Sequence, residues 1–235
     1  MRHTPSNPVF TAIDKSDLDL ARDLASRIAA HTGGIKLGKE FVTAFGPDGV
    51  KAVVGDHIPL FLDLKFHDIP NTVAGAVRSA AATLQPNMLT IHASGGPAMI
   101  RAAADAAAEF GENRPLILAV TVLTSMDEDD LRAIGVDASP REQVLRLARL
   151  ARDNGADGVI CSPLEIADIR AELGPDFKLV VPGIRPAGSD HGDQKRVKTP
   201  VEALSDGADY LVIGRPITEA EDPATAARTI AESLS

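Results

Sequence analysis

The residues best suited to do chemistry in this chain are Lys36 and the run Asp63-Leu64-Lys65-Phe66-His67-Asp68, whose Asp-x-Lys-x-x-Asp order places an anion, a cation and a second anion close together. Charged side chains are stable in a partly dry site only when they neutralise one another, so two lysines and two aspartates form a self-consistent set. A structural ion-pair network would meet the same condition. Aspartates on either side of a lysine hold it protonated, because a nearby opposite charge favours the ammonium. Such a lysine can donate a proton or meet a developing negative charge. It is poorly suited to Schiff-base chemistry, which needs a neutral amine. Asp63, Asp68, His67 and His92 are of metal-ligating types, but the adjacent ammonium groups would oppose a divalent ion, so no metal site is expected. His67 and His92 are read as structural histidines.

A second signal lies late in the chain. Pro182-Gly183-Ile184-Arg185-Pro186-Ala187-Gly188-Ser189 opens a long polar loop that ends near Gln194, and Ile213-Gly214-Arg215-Pro216 follows further on. Glycines let backbone N–H groups approach an anion, and an arginine adds a bidentate, charge-assisted contact. Each glycine alone is an ordinary turn. Both elements together, after the seventh and eighth strands of a barrel, point to a phosphate site.

The elements that must position these residues alternate. Strand-like runs at Val9 to Asp14, Gly34 to Gly38, Leu60 to Lys65, Met88 to His92, Leu116 to Leu123, Gly158 to Ser162, Lys178 to Pro182 and Tyr210 to Gly214 are each followed by a longer helical segment. Thr72 to Ala82, Ala98 to Glu109 and Arg141 to Arg152 read as helices, the last with Val144, Leu147, Ala148 and Ala151 on one face. Eight such units in 235 residues predict an α/β fold, a (β/α)8 TIM barrel forming one domain over residues 1–235. A doubly wound open sheet would show the same alternation. Side chains alternate along a strand, so Leu60, Leu62 and Leu64 face the helices while Phe61, Asp63 and Lys65 face the other way, with Lys36 beside them. Charges pointing inward at the C-terminal ends of strands favour the barrel.

Net charge of −9 and an aromatic content of 3% argue against a nucleic-acid surface. No run approaches the ~18 apolar residues of a membrane span, and Met1 to Pro8 holds no apolar stretch resembling a secretory signal. The single cysteine, Cys161, sits in an apolar run and reads as an inert core thiol. A cytoplasmic enzyme is expected.

Phe61-Leu62-Asp63-Leu64-Lys65-Phe66-His67-Asp68-Ile69-Pro70-Asn71-Thr72 closely resembles the signature of the orotidine 5′-monophosphate decarboxylases of the bacterial short-chain type. The resemblance extends to Ala12-Ile13-Asp14, Lys36 to Glu40, His92 to Gly96, Val120 to Met126, Pro182 to Gln194 and Ile213 to Pro216, with Ile13 standing where leucine is common. It implies conversion of orotidylate to UMP and CO₂ without a cofactor. It further implies that Lys65 protonates C6 and that Lys36, Asp63 and Asp68 complete the catalytic array. Asp14 and Lys36 would hold ribose hydroxyls, and Thr124, with Ser125 adjacent, the pyrimidine amide. Arg185, Gln194, Gly214 and Arg215, with Pro182 at the start of the loop, would form the phosphate side. The resemblance also implies a homodimer in which Asp68 and Thr72 reach into the other subunit's site. The shorter Asp-x-Lys-x-x-Asp pattern is shared with a wider suprafamily, so a sugar-phosphate decarboxylase or aldolase requiring Mg²⁺ is the alternative. A catalytically silent barrel that binds a nucleotide is a further one.

Overall fold

The computed structural model describes residues 7–186 and 197–234. Eight parallel strands, β1 (Val9–Ala12), β2 (Gly34–Gly38), β3 (Leu60–Phe66), β4 (Met88–His92), β5 (Leu116–Val120), β6 (Gly158–Ile160), β7 (Lys178–Val181) and β8 (Tyr210–Ile213), pair in sequence order. β8 pairs back onto β1, which closes the barrel and excludes the open sheet. The layer outside the sheet is built from α1 (Leu18–Ile28), α2 (Lys39–Val54), α3 (Pro70–Thr83), α4 (Gly96–Ala108), α5 (Glu128–Ala133), α6 (Pro140–Asp153), α7 (Ile166–Leu173), α8 (Pro200–Ser205), α9 (Arg215–Thr218) and α10 (Pro223–Glu232). Among the described residues no helix is long and apolar enough to cross a membrane.

Strand alternation divides the apolar residues between two cores. Ile35, Leu37, Leu62, Leu89, Ile91 and Ile117 point outward and pack under the helices. Phe10, Phe61, Met88, Leu118, Val180 and Tyr210 fill the barrel interior. The Phe10 ring meets Phe61 and Tyr210 edge-on, with centroids 6.0 and 5.8 Å away. Each such fully buried side chain contributes about 1.5–3 kcal/mol of apolar burial. Gly34 makes room for this plug: a Cβ there would lie 2.4 Å from a Phe10 ring carbon. The interior is therefore filled from below, and space inside the barrel opens above, at the strands' C-terminal ends.

α6 buries Val144, Leu147, Ala148 and Ala151, the face that its periodicity predicts. Ser139 caps it in a reciprocal capping box with Glu142. α3, α4 and α6 begin one or two residues before the predicted starts, because Pro70, Pro97 and Pro140 occupy first-turn positions where a missing N–H costs nothing. Several strands end earlier than predicted. β1 stops at Ala12 and β5 at Val120, because a parallel ladder ends where its neighbours leave it, whatever the β propensity of Ile13 or Val122. Those trailing residues become the loops that carry the site.

β3 departs from simple pleating. Phe61 and Leu62 face Met88 and Leu89 on β4, yet the next partnered residue is Phe66, opposite Ile91, so four residues of β3 span two of β4. Within this bulge Lys65 takes a φ of 52°, a left-handed conformation rare for a residue with a side chain.

Candidate active site

The C-terminal ends of β1, β2 and β3 bring one row of charges together above the aromatic plug. Lys65 Nζ donates to Asp63 Oδ2 at 2.7 Å. Lys36 Nζ lies 3.7 Å from that same oxygen and 3.5 Å from Asp14 Oδ1. The order is thus Asp14, Lys36, Asp63, Lys65, with the middle pair most enclosed: the Lys36 and Asp63 side chains are 11% and 13% exposed, against 54% for Asp14. β2 supplies Lys36 between two inward-facing glycines, Gly34 and Gly38, which leaves space for its long side chain to rise to the mouth. A Cβ on Gly38 would lie 3.4 Å from Lys36 Nζ.

Burial is the largest single influence on Asp63 and favours its neutral acid. It is outweighed by the combined charges of Lys36 and Lys65 and by hydrogen bonds from Lys65 and Thr90, so the carboxyl is held below its ordinary range. Asp63 is therefore an anion at neutral pH and fixes two cations. Thr90, buried on β4, donates to Asp63 Oδ1 at 2.9 Å and accepts the Lys65 backbone N–H at 2.8 Å.

His92, at the end of β4, stacks at a tilt on His67 with ring centroids 5.2 Å apart. Burial, then the charges of His67, Lys39 and Lys65, push its pKa down to about 4 against a smaller opposing effect of Asp63, so the ring is neutral near pH 7. Among the described residues no group of three or more His, Cys, Asp or Glu side chains is placed to hold a metal ion.

The charge row forms one wall of a cavity of about 520 Å³, within the range of small-molecule sites. Thr124, from the loop after β5, lines it, as do Pro182, Gly183 and Arg185 after β7 and Gly214 and Arg215 after β8. Arg185 is buried, with Nη1 donating to the Ile184 carbonyl at 3.0 Å. The start of its loop is pinned by a parallel bridge between Ile184 and Lys198 and by the Arg185 N–H donating to the Lys198 carbonyl at 3.0 Å. Two lysines face Asp14 and Asp63, and the loops after β7 and β8 add Arg185 and Arg215, with Glu219 nearby in the chain, to the lining. The cavity thus combines the lysine–aspartate row with two guanidinium groups.

Not every expected residue joins this group. Asp68 and Thr72 are exposed and line no part of the cavity; the Asp68 carboxylate accepts the N–H of Ile69 at 2.6 Å and pairs with no lysine among the described residues. The expectation that Asp68 stands with Lys36, Asp63 and Lys65 is thus not met within a single subunit, because it lies beyond the end of β3, just ahead of α3. Asp14 takes the fourth place. Ser125 is exposed and outside the cavity lining, and Gln194 falls outside the described residues. Conversely, Lys15, Thr218 and Glu219 line the cavity without having been singled out in the sequence; Cys161, read there as a core thiol, also borders it, and burial pushes its thiol up and keeps it unreactive. Thr90 was also missed, although its place between inward-facing Met88 and His92 was a readable signal.

Comparison with known proteins agrees with this geometry. A family model described as orotidine 5′-phosphate decarboxylase / HUMPS matches residues 7–230. The orotidine 5′-phosphate decarboxylase of Rhodospirillum rubrum is 56% identical over 239 residues, covering 100% of this chain and 96% of its own. That of Paramagnetospirillum magneticum is 55% identical over 232 residues, covering 97% and 98%. The crystal structure of the Lactobacillus acidophilus orotidine 5′-phosphate decarboxylase superposes with a TM-score of 0.87 at 38% identity, covering 98% of this chain and 100% of that one. Relatives this similar over nearly their full length favour the nucleotide decarboxylase over the Mg²⁺-dependent sugar-phosphate alternative. With the closed barrel, the lysine–aspartate row and a match spanning almost every residue, the chain belongs to the orotidine 5′-phosphate decarboxylase / HUMPS family.

Proposed function

We propose that this barrel, one catalytic domain spanning residues 1–235, decarboxylates orotidine 5′-phosphate to UMP and CO₂ with no cofactor, in the cytoplasm. The observation that carries the reading is the Lys65 ammonium held 2.7 Å from the half-buried Asp63 carboxylate in a cavity that Arg185 and Arg215 also line. Loss of CO₂ from C6 leaves an electron pair in the plane of the pyrimidine ring, where the π system cannot spread it. The protein must stabilise that charge itself. An ammonium already fixed beside C6 does so without reorganising at the moment of reaction, then transfers its proton to the carbon. The C6–CO₂ bond breaks, its electron pair stays on C6, and the proton from Lys65 forms the new C6–H bond.

The other residues divide the remaining tasks. Asp63 keeps Lys65 charged and aimed, and Lys36 with Asp14 holds the ribose hydroxyls. Thr124, with Ser125, contacts the pyrimidine amide. Arg185, Arg215, Gly214 and Gln194, with Pro182 at the foot of the loop, bind the phosphate, far enough from C6 that its binding energy is spent on positioning and on excluding water. Asp68 and Thr72, turned away from the cavity of their own subunit, complete the site of a second copy in a homodimer.

A direct assay tests the reading. Purified protein is incubated with orotidylate in excess EDTA while the orotate absorbance is followed. Disappearance of the chromophore with stoichiometric UMP supports it. Activity that vanishes in chelator and returns with Mg²⁺ would overturn the cofactor-free mechanism.

A further inference from the structure

Thr90 closes a ring of hydrogen bonds around the catalytic lysine. The Lys65 amide donates to Thr90 Oγ1 at 2.8 Å, Oγ1 donates to Asp63 Oδ1 at 2.9 Å, and Asp63 Oδ2 accepts from Lys65 Nζ at 2.7 Å. Because Oγ1 receives the amide proton, its own hydrogen is directed to the carboxylate. Thr90 is fully buried, so water cannot substitute for either bond. The ring also coincides with the one irregular stretch of the barrel wall: Lys65 has a φ of 52°, and the β3–β4 register slips between Leu62 and Phe66. A left-handed backbone at a residue with a Cβ is uphill and persists only where its surroundings impose it. The Thr90 hydroxyl takes the place of a ladder carbonyl for the Lys65 amide inside that bulge.

We propose that Thr90 is a positioning residue for the proton donor, its hydroxyl locking the strained Lys65 backbone and the rotation of the Asp63 carboxylate together so that the ammonium stays aimed into the cavity. The proposal rests on the reading of Lys65 as the donor to C6. Thr90 itself is not among the residues lining the cavity; it acts through the other two residues. Valine at this position keeps the β-branched shape and removes both hydrogen bonds, whereas serine keeps the hydroxyl.

Three variants decide the matter. Thr90→Val should lower kcat by about 10- to 100-fold, the effect of losing a hydrogen bond to a charged group, while KM and the UMP Kd stay within about threefold. Thr90→Ser should recover kcat to within about threefold of the parent. A purely structural role predicts otherwise: Thr90→Val would lose melting temperature while keeping parental kcat per UMP-binding site, and that result overturns the proposal. If Thr90→Val does not fold, Thr90→Ala against Thr90→Ser makes the same comparison, since a kcat equal in the two would overturn it as well. Lys65→Ala separates the two layers of argument. An active Lys65→Ala enzyme refutes the donor assignment and the Thr90 role with it, whereas an inactive Lys65→Ala beside a fully active Thr90→Val refutes the Thr90 role alone.

Discussion

Replacing Asp63 by asparagine changes one charge and almost no volume, so its effect can be worked from the observed contacts. One carboxylate oxygen of Asp63 faces both Lys65 Nζ at 2.7 Å and Lys36 Nζ at 3.7 Å, with the Asp63 side chain 13% exposed. The amide oxygen of asparagine can still accept the Thr90 hydroxyl, but that orientation turns the NH₂ group toward two ammonium ions. Lys36 retains Asp14 at 3.5 Å, while Lys65 loses its only salt-bridge partner among the described residues. Removing one partner of an enclosed ion pair costs about 3–5 kcal/mol; with that loss falling on the placement of the Lys65 ammonium in the transition state, kcat/KM drops roughly 10²- to 10⁴-fold at about 1.4 kcal/mol per tenfold. The assay is loss of orotate absorbance at low substrate concentration, with circular dichroism melting as the control for folding. A folded Asp63→Asn enzyme within about threefold of the parent would refute the argument that this carboxylate organises the lysines.

Two further predictions address pH and assembly. His92 is neutral in the folded protein with a pKa of about 4, below the ordinary histidine value of 6.5, so between those values the unfolded chain takes up a proton that the folded one refuses. Its contribution to stability is intact above pH 6.5 and lost as the pH falls toward 4; His92→Gln should flatten that slope in urea-unfolding midpoints, and an unchanged slope would contradict the assignment. Mixing Lys65→Ala with Asp68→Ala subunits should restore about a quarter of parental activity, since half of a random mixture is heterodimer and each heterodimer has one intact site; no recovery would place Asp68 in the site of its own subunit.

The fold was readable because the barrel imposes its period on the chain: outward aliphatic residues recur at every second position through β2, β3 and β4, with glycine, polar, aromatic or methionine side chains facing inward between them. That same alternation puts Lys36, Asp63 and Lys65 on one side. Strand ends were less legible. Residues such as Ile13, Val122 and Leu123 carry strand-forming side chains but follow the last shared ladder position, and a neighbour's length cannot be seen from one strand's own sequence. The bulge at Lys65 is silent in the sequence too, since left-handed backbone is signalled by glycine and this position carries lysine. Asp68 shows the limit of spacing: three residues beyond Lys65 sounds near, yet the chain has already turned toward α3. Thr90 is only half legible: alternation turns it inward between Met88 and His92, but β propensity alone accounts for a β-branched residue in a strand and does not reveal its bonds to Asp63 and Lys65.

The mechanism depends on Lys65 delivering the proton. Lys65→Ala protein should still bind UMP in calorimetry, because Arg185 and Arg215 are untouched, while its turnover of orotidylate falls by at least about a thousandfold. A variant that binds UMP normally and keeps even about a tenth of parental kcat would contradict the mechanism.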